Sequence, residues 1–316
     1  MTETSLGAVG RPYDRGMAHA HAPLPDQRGR LGTVLLITGA ILVVEVVGAL
    51  LSGSLALFAD AGHMLTDVAG LGLAYLAAAL ARRPATDQRT WGFRRAEVLA
   101  AATQAAVLLA VGVFILAESV KRLFAPPEVT SSIMLVFGAV GLVGNLASVA
   151  VLTRGRDQNL NTRAALLEVA NDALGSVAVL VAAAVIAGTG WLLADPVASL
   201  LIGLLIIPRT VGLLKETVDV LLESTPKGLD LTQVRERLLR VGHVHDVHDL
   251  HATQVATGLP VLTAHVVVDD SCFLDGHLSS MLDELQRCVD KDFNVEHSTI
   301  QFEARSHAAH EHPTHP

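Results

Sequence analysis

The sequence predicts an α-helical membrane protein with six transmembrane helices, followed by a small cytoplasmic α+β domain of the ferredoxin-like type. Three observations predict this fold class. Hydrophobic residues make up 51% of the 316 residues and charged residues only 17%, whereas charge is near ~25% in soluble domains. Six apolar windows have roughly the ~20 residues that a helix needs to cross a bilayer. After residue 229 these windows give way to short amphipathic patterns.

The apolar windows define a membrane domain over residues 31–214. They lie at 31–51, 54–81, 96–118, 130–153, 164–188 and 195–214. The first window is predicted to be a retained helix and not a signal peptide, because no small-residue cleavage site follows it. Residues 1–30, which include His19 and His21, are predicted to form a disordered tail, and residues 215–228 a linker.

The distribution of arginines predicts the orientation of these helices. Arginines concentrate before the first window, between the second and third windows, and between the fourth and fifth windows. They are Arg28, Arg30, Arg82, Arg83, Arg89, Arg94, Arg95, Arg154, Arg156 and Arg163. Cytoplasmic loops carry the excess of Lys and Arg, so both termini are expected in the cytoplasm. Lys121 and Arg122, at the end of the third window, oppose this pattern. The prediction is a multi-pass protein of the cell membrane.

The soluble part, residues 229–304, reads as helix, strand, strand, helix, strand. Its segments are "LTQVRERLLRV", "HDLHATQV", "LPVLTAHVVVDD", "LSSMLDELQRCVD" and "VEHSTIQFE". This order predicts a ferredoxin-like domain. The following stretch, 305–316, is rich in histidine and is predicted to be a disordered tail.

Two classes of function are disfavoured by composition. Cys272 and Cys288 have no CxxC spacing, which argues against a disulfide framework and against thiolate metal chemistry. The formal net charge of −8 and the lack of a basic stripe argue against nucleic acid as a partner.

Two motifs place ionisable groups inside apolar helices. His63 and Asp67 are four residues apart in the second window, and Glu168 and Asp172 are four apart in the fifth. Each pair therefore lies on one helix face. At ~1.5 Å per residue, His63 and Asp172 fall ~13–14 Å from the outer face, and Asp67 and Glu168 ~19–20 Å. The four side chains are expected to meet near the midplane of the bilayer.

This set of donors indicates a site for a divalent metal ion. One imidazole and several carboxylates favour zinc, with manganese, iron, cobalt and cadmium as alternatives. The competing interpretation, interhelical hydrogen bonds or a buried ion pair, is weakened because each charged group costs at least ~2.5–3.5 kcal/mol at the bilayer centre. Glu45 and Asn145 are predicted to make interhelical hydrogen bonds. Asp60 either lines an exit path or supports packing at the bilayer interface.

Longer motifs resemble those of a known family. They are "LFADAGHMLTD", "WGFRRAEVLAA" at 91–101, "NLNTRAALLEVANDALGSVAVL" at 159–180, "LADPVASL" at 193–200 and "VHDLHATQVATGLPVLTAHVVV" at 247–268. From about residue 30 to 303 the chain resembles the cation diffusion facilitators. The resemblance implies a zinc-exporting, proton-coupled homodimer in which the cytoplasmic domain binds additional metal.

The resemblance also implies which residues bind the metal ions. The transport site falls on His63, Asp67, Asp172 and the position held by Glu168, where zinc-transporting members usually have histidine. The preferred metal is therefore left open between zinc and the harder ions. In the cytoplasmic domain the matching positions are His248, His265, His277 and Glu303. The alternative is that these histidines are exposed strand and loop residues.

Three functions follow from these observations. The first is a secondary active exporter that moves divalent cations, zinc foremost, out of the cytoplasm without an organic cofactor. The second is a metal-sensing membrane protein, and the third a membrane metalloenzyme, although the chain has no HExxH or GxSxG motif. The chain also has no P-loop, so a proton gradient is the expected energy source. Because three carboxylates in low dielectric favour occupation by a cation or by protons, metal and protons are expected to compete.

Overall fold

The computed structural model describes residues 25–153 and 160–308, and the side chains of residues 32–153 and 166–307. The predicted tails therefore lie mostly outside the described residues, as do Arg154 and Arg156. Within the described residues, six helices are long and apolar enough to cross a membrane: α1 (Pro25–Ser52), α2 (Leu55–Ala81), α3 (Ala96–Phe124), α4 (Ser131–Thr153), α5 (Leu160–Thr189) and α6 (Ala194–Leu221). The predicted six-helix membrane architecture is confirmed.

Several helices are longer than their apolar windows. Helix α1 begins at Pro25, inside the predicted tail, α3 continues to Phe124, and α6 runs through half of the predicted linker to Leu221. Hydropathy reports the part of a helix that is compatible with hydrocarbon, whereas the hydrogen-bond ladder continues into the aqueous phase.

The two cations that oppose the charge pattern lie in the last turns of α3. Lys121 Nζ is 3.2 Å and Arg122 Nε is 3.1 Å from the carboxylate of Glu118 on the same helix. Arg122 also donates to the Gly53 carbonyl in the turn between α1 and α2, at 2.9 Å. Their charges are therefore compensated locally, which weakens their effect on the orientation signal.

A buried carboxylate joins the start of α2 to the start of α6. Ser54 is the N-cap of α2 and accepts from the Leu57 amide at 3.1 Å. Asp195, fully buried in the first turn of α6, accepts from the Ser54 hydroxyl and from the amides of Leu55 and Ala56, at 2.9 and 3.2 Å. These amides have no intrahelical partner, so Asp195 satisfies the end of a neighbouring helix.

We expect Asp195→Ala to destabilise the membrane domain by about 2–4 kcal/mol, because it leaves several buried donors unsatisfied. The measurement is the thermal unfolding temperature of the purified protein in detergent. Ser199→Ala is the matched control, since the Ser199 hydroxyl donates only to the Asp195 carbonyl of its own helix at 2.7 Å. Equal unfolding temperatures for the two variants would contradict this role of Asp195.

The soluble domain has the predicted α-β-β-α-β order, which is confirmed. It consists of α7 (Leu231–Leu239), β1 (Val244–Ala256), β2 (Leu259–Val268), α8 (Leu278–Phe293) and β3 (His297–Ala304), and a helical turn α9 (Arg305–Ala308) follows. The sheet order is β1-β2-β3, with β1 antiparallel and β3 parallel to β2. Both cysteines are buried free thiols. The C-terminal tail predicted over 305–316 therefore begins with the helical turn α9.

The soluble domain contacts the membrane domain at the start of α3 and the end of α6. The Thr257 hydroxyl in the β1–β2 turn donates to Glu97 at 3.0 Å, and β1 contacts α6. Arg95 Nη2 is 2.7 Å from the carboxylate of Glu223, which joins the start of α3 to the segment that follows α6. The end of the helix bundle that carries the Arg-rich α2–α3 loop is therefore the end that faces the soluble domain.

Candidate metal centre

Helices α2 and α5 bring the four predicted transport-site residues together. The Nε2 atom of His63 is 3.4 Å from Asp67 Oδ2, 3.7 Å from Glu168 Oε1 and 3.7 Å from Asp172 Oδ1. Asp172 is buried, with 3% of its surface exposed, and the other three residues are partly buried. The two i, i+4 pairs of the sequence thus face each other across the α2–α5 contact.

The ligand atoms of His63, Asp67 and Asp172 lie within 4.8 Å of one another, a spacing that suits a tetrahedral ion. Zinc at ~2.0–2.1 Å from its N and O ligands separates the ligand atoms by ~3.3–3.4 Å, close to the observed distances. Asp67 Oδ2 and Asp172 Oδ1 are buried and have no hydrogen-bond partner among the described residues. Buried polar atoms are normally paired, so unpaired atoms around one point indicate a position for a cation.

Arg209 on α6 is a member of this centre that the sequence analysis missed. Its guanidinium binds both oxygens of Glu168, with Nη1 3.0 Å from Oε1 and Nη2 in close contact with Oε2. The fourth donor therefore differs from the other three, because a cation of the protein already compensates its charge. The signal was present in the sequence: Arg209 is a lone arginine inside the sixth apolar window.

The centre opens into a pocket of about 530 Å³ between α2, α3, α5 and α6. The pocket extends along α2 from Asp60 to Ala74 and along α6 from Ile202 to Leu213. His63, Asp67, Glu168 and Arg209 contribute to its wall, and most of the remaining lining is apolar. An ion can therefore reach the centre through this pocket, between apolar helix faces.

Three of the four residues predicted to bind metal in the soluble domain lie together in one cluster. His248 and His265 are cross-strand partners on β1 and β2, and their rings are 5.4 Å apart. Glu303 on β3 is buried, with its oxygens 3.3 Å from His248 Nε2 and 2.8 Å from His265 Nδ1. His277 lies elsewhere, with its ring 5.4 Å from that of His243.

Two further histidines of this domain flank Asp269. Its carboxylate is 2.6 Å from His245 Nε2 and 3.0 Å from His243 Nδ1. These hydrogen bonds, to His245 first and His243 second, hold the pKa of Asp269 below its usual value. Arg305 contacts both Asp269 and His245, so this group is an ion-pair network between partly exposed side chains.

Comparison with known proteins gives one family for both the membrane domain and the soluble domain. The cation efflux transmembrane domain matches residues 32–222, and the cytoplasmic domain of cation efflux proteins matches residues 226–305. The metal cation efflux system protein CzcD of Cupriavidus metallidurans is 41% identical over 288 residues, which cover 91% of this chain and 90% of CzcD. The zinc transporter ZitB of Escherichia coli is 40% identical over 295 residues, which cover 91% and 93%.

A third relative is named by its exchange reaction. The cadmium, cobalt and zinc/H(+)-K(+) antiporter of Bacillus subtilis is 34% identical over 296 residues, which cover 92% of this chain and 93% of the antiporter. The matches confirm the resemblance to cation diffusion facilitators, and they indicate a transporter. With six membrane-spanning helices followed by the matched cytoplasmic domain, the chain belongs to the cation efflux family.

Proposed function

We propose that this protein exports divalent metal ions, zinc foremost, from the cytoplasm in exchange for protons. The observation that carries the proposal is the convergence of His63, Asp67, Glu168 and Asp172 between two helices long enough to cross a membrane. Buried ionisable groups in such helices are costly and are retained where they serve transport. One imidazole nitrogen and several carboxylate oxygens are typical ligand atoms for a borderline cation such as Zn²⁺.

The choice of metal rests on the donors and on the relatives. Zinc is named for ZitB, and cadmium, cobalt and zinc for the Bacillus subtilis antiporter. One histidine with three carboxylates is a harder donor set than two histidines with two carboxylates. We therefore propose zinc as the main substrate, with cobalt and cadmium as further substrates and weaker discrimination against manganese and iron.

The direction of transport follows from the charge of the loops. If the Arg-rich ends of α2 and α3 face the cytoplasm, both termini and the soluble domain are cytoplasmic as well. The pocket runs from the level of Asp60 towards that same end of α2, since it includes Ala74. In this arrangement the centre is accessible from the cytoplasm, which is the side where an exporter binds its ion.

Charge balance supports exchange with protons. With His63 neutral, three carboxylates and the Arg209 guanidinium leave two net negative charges, which a divalent ion neutralises. When the ion leaves, protons neutralise the carboxylates instead, because two uncompensated charges are unfavourable in a low dielectric. The antiport named for the Bacillus subtilis relative is in line with this expectation.

The direct test is transport by the purified protein in proteoliposomes with an imposed proton gradient. We expect gradient-dependent uptake of zinc, cobalt and cadmium by the fraction of the protein whose cytoplasmic side faces outwards, with slower uptake of manganese. Liposomes without protein and liposomes without a gradient are the controls. A metal sensor would bind zinc without moving it, so zinc binding without flux would contradict the proposal.

We further propose that the protein is a homodimer and that His248, His265 and Glu303 bind a second zinc ion in each protomer. The three side chains place nitrogen and oxygen ligand atoms within 4.8 Å of one another. Imidazole and carboxylate are ordinary zinc ligands. A site outside the membrane can hold metal without taking part in each transport cycle.

We expect His265→Ala to lower the zinc content of the full-length protein by one ion per chain while transport at saturating zinc persists. The measurement is zinc stoichiometry after gel filtration, together with the flux assay. His297→Ala is the control, because the ring of His297 packs on Trp91 at 4.9 Å, away from the cluster. An unchanged zinc stoichiometry in His265→Ala would contradict this site.

A further inference from the structure

A second pair of acidic side chains lies inside the membrane domain, apart from the four proposed metal ligands. Glu45 on α1 is completely buried, and its carboxyl group lies against that of Asp60 on α2, which is 2% exposed. Neither is a member of the metal-ligand set, and the transport scheme above does not use them. We call these two residues the Glu45–Asp60 pair.

The contacts of the pair require a shared proton. The Ser176 hydroxyl donates to Asp60 Oδ2 at 3.2 Å, and Asn145 Nδ2 in turn donates to Ser176 Oγ at 3.3 Å. No donor among the described residues reaches either oxygen of Glu45. Two ionised carboxylates repel each other, whereas a carboxylic acid donates a hydrogen bond to a neighbouring carboxylate. The close contact of two buried side chains is therefore stable only if the pair holds at least one proton.

The backbone of the adjacent helices leaves room for the pair. A Cβ atom on Gly141 of α4 would come within 2.3 Å of Glu45 Oε1, and a Cβ atom on Gly175 of α5 within 2.5 Å of Asp60 Oδ1. Any side chain at either position would displace a carboxyl group. The pair thus occupies a space that four helices form together.

The charged groups that act on the pair are acidic. Asp172 is a further carboxyl group near the pair. Its negative charge repels that of Glu45, and the negative charge of Asp60 repels that of Asp172. Helix α4 contributes the neutral Asn145 and Ser148, both buried. Arg209, the cation of the centre, is paired with Glu168. Among the described residues, no lysine, arginine or histidine of α3 or α6 forms an ion pair with Glu45 or Asp60.

The pair also borders the transport pathway. Asp60 lines the pocket that contains the proposed metal centre, one helical turn before His63. A proton released by the pair can therefore leave through this pocket. A divalent ion held by Asp172 and its partners would be close enough to disfavour a proton on the pair, because like charges repel strongly in a low dielectric.

We propose that the Glu45–Asp60 pair is a proton-carrying site that couples proton movement to metal movement without binding the metal. This proposal rests on the export function proposed above. When the metal binds, the O–H bond of the shared acid breaks and the proton passes to solvent in the pocket. After the metal leaves, a proton from the opposite side restores the O–H bond. One proton per metal ion is then exchanged outside the ligand set.

The test uses Glu45→Gln in the full-length protein reconstituted in liposomes. Glutamine keeps the shape and can still donate to Asp60, but it cannot release a proton. We expect zinc–zinc exchange without a proton gradient to stay within about twofold of wild type, and gradient-driven zinc uptake to fall at least about tenfold. We also expect proton release on zinc binding, followed with a pH-sensitive dye in weak buffer, to fall by about one proton per zinc.

Matched variants separate proton carriage from packing. Ser148→Ala removes a buried hydroxyl of the same region that does not titrate, and it is expected to leave both transport modes and proton release unchanged. Glu45→Asp keeps an acid and is expected to restore part of the gradient-driven uptake. If Glu45→Gln does not fold, Asp60→Asn serves as the second variant with the same expected results.

Two results would overturn the inference. Unchanged gradient-driven uptake and proton release in Glu45→Gln would show that the pair carries no coupled proton. Equal loss of exchange and of gradient-driven uptake in a folded variant would show that the pair supports the pathway and not the coupling. If wild-type protein shows no zinc exchange, the proposed export function itself fails, which is a different result.

Discussion

Asp172→Asn is expected to abolish metal transport while the protein remains folded. The substitution removes an anionic donor that is 3% exposed and whose Oδ1 atom has no hydrogen-bond partner among the described residues. Changes to residues that only support a metal ligand already cost 10–100-fold in affinity or activity, so loss of a ligand is expected to cost at least ~100-fold. Thermal stability without metal is expected to stay equal or rise, because a buried charge has been removed.

The measurement is the initial rate of zinc uptake into proteoliposomes, paired with thermal unfolding in detergent. Asp67→Asn is expected to behave in the same way, since Asp67 Oδ2 faces His63 Nε2 from one helical turn away. Asp87→Asn, in the exposed loop between α2 and α3, is the control for the loss of one aspartate. Transport near the wild-type rate in either site variant would mean that the metal passes elsewhere.

Glu168→His is expected to weaken zinc binding when it is made alone and to retain zinc transport when combined with Arg209→Gln. Histidine at this position gives the softer two-histidine donor set, which favours zinc over manganese. It also removes the partner of Arg209, so an uncompensated cation remains beside the metal. The site carries two net negative charges in the wild type and one in Glu168→His. In the double variant, which lacks the Arg209 guanidinium, it again carries two.

The measurement is the initial transport rate and apparent affinity for zinc, cobalt and manganese in the wild type, both single variants and the double variant. We expect at least about a tenfold loss of zinc affinity in Glu168→His, recovery within about threefold in the double variant, and loss of manganese transport in both. Arg209→Gln alone is expected to bind zinc at least as well as wild type. Unchanged affinity and selectivity in Glu168→His would mean that Glu168 does not face the ion.

The sequence by itself determined the elements and the helix faces. Hydropathy predicted six membrane helices, and the α-β-β-α-β order of the soluble domain followed from periodicity. The i, i+4 spacing of His63 with Asp67, and of Glu168 with Asp172, placed each pair on one face, because helix geometry is local and repeats every 3.6 residues. The ends of the long helices differed, since apolar windows measure contact with lipid and not helix length, and the predicted tail begins with the helical turn α9.

Only the tertiary structure decided which faces meet and which groups pair. The rotation of α6 about its axis places Arg209 on Glu168, and the packing of α1 on α2 places Glu45 on Asp60. In the soluble domain, the strand register joins His248 to His265, while His277 lies at the start of α8, against His243. These contacts join residues more than ten positions apart in the sequence. Their distances depend on how whole elements pack against one another, which local periodicity does not contain.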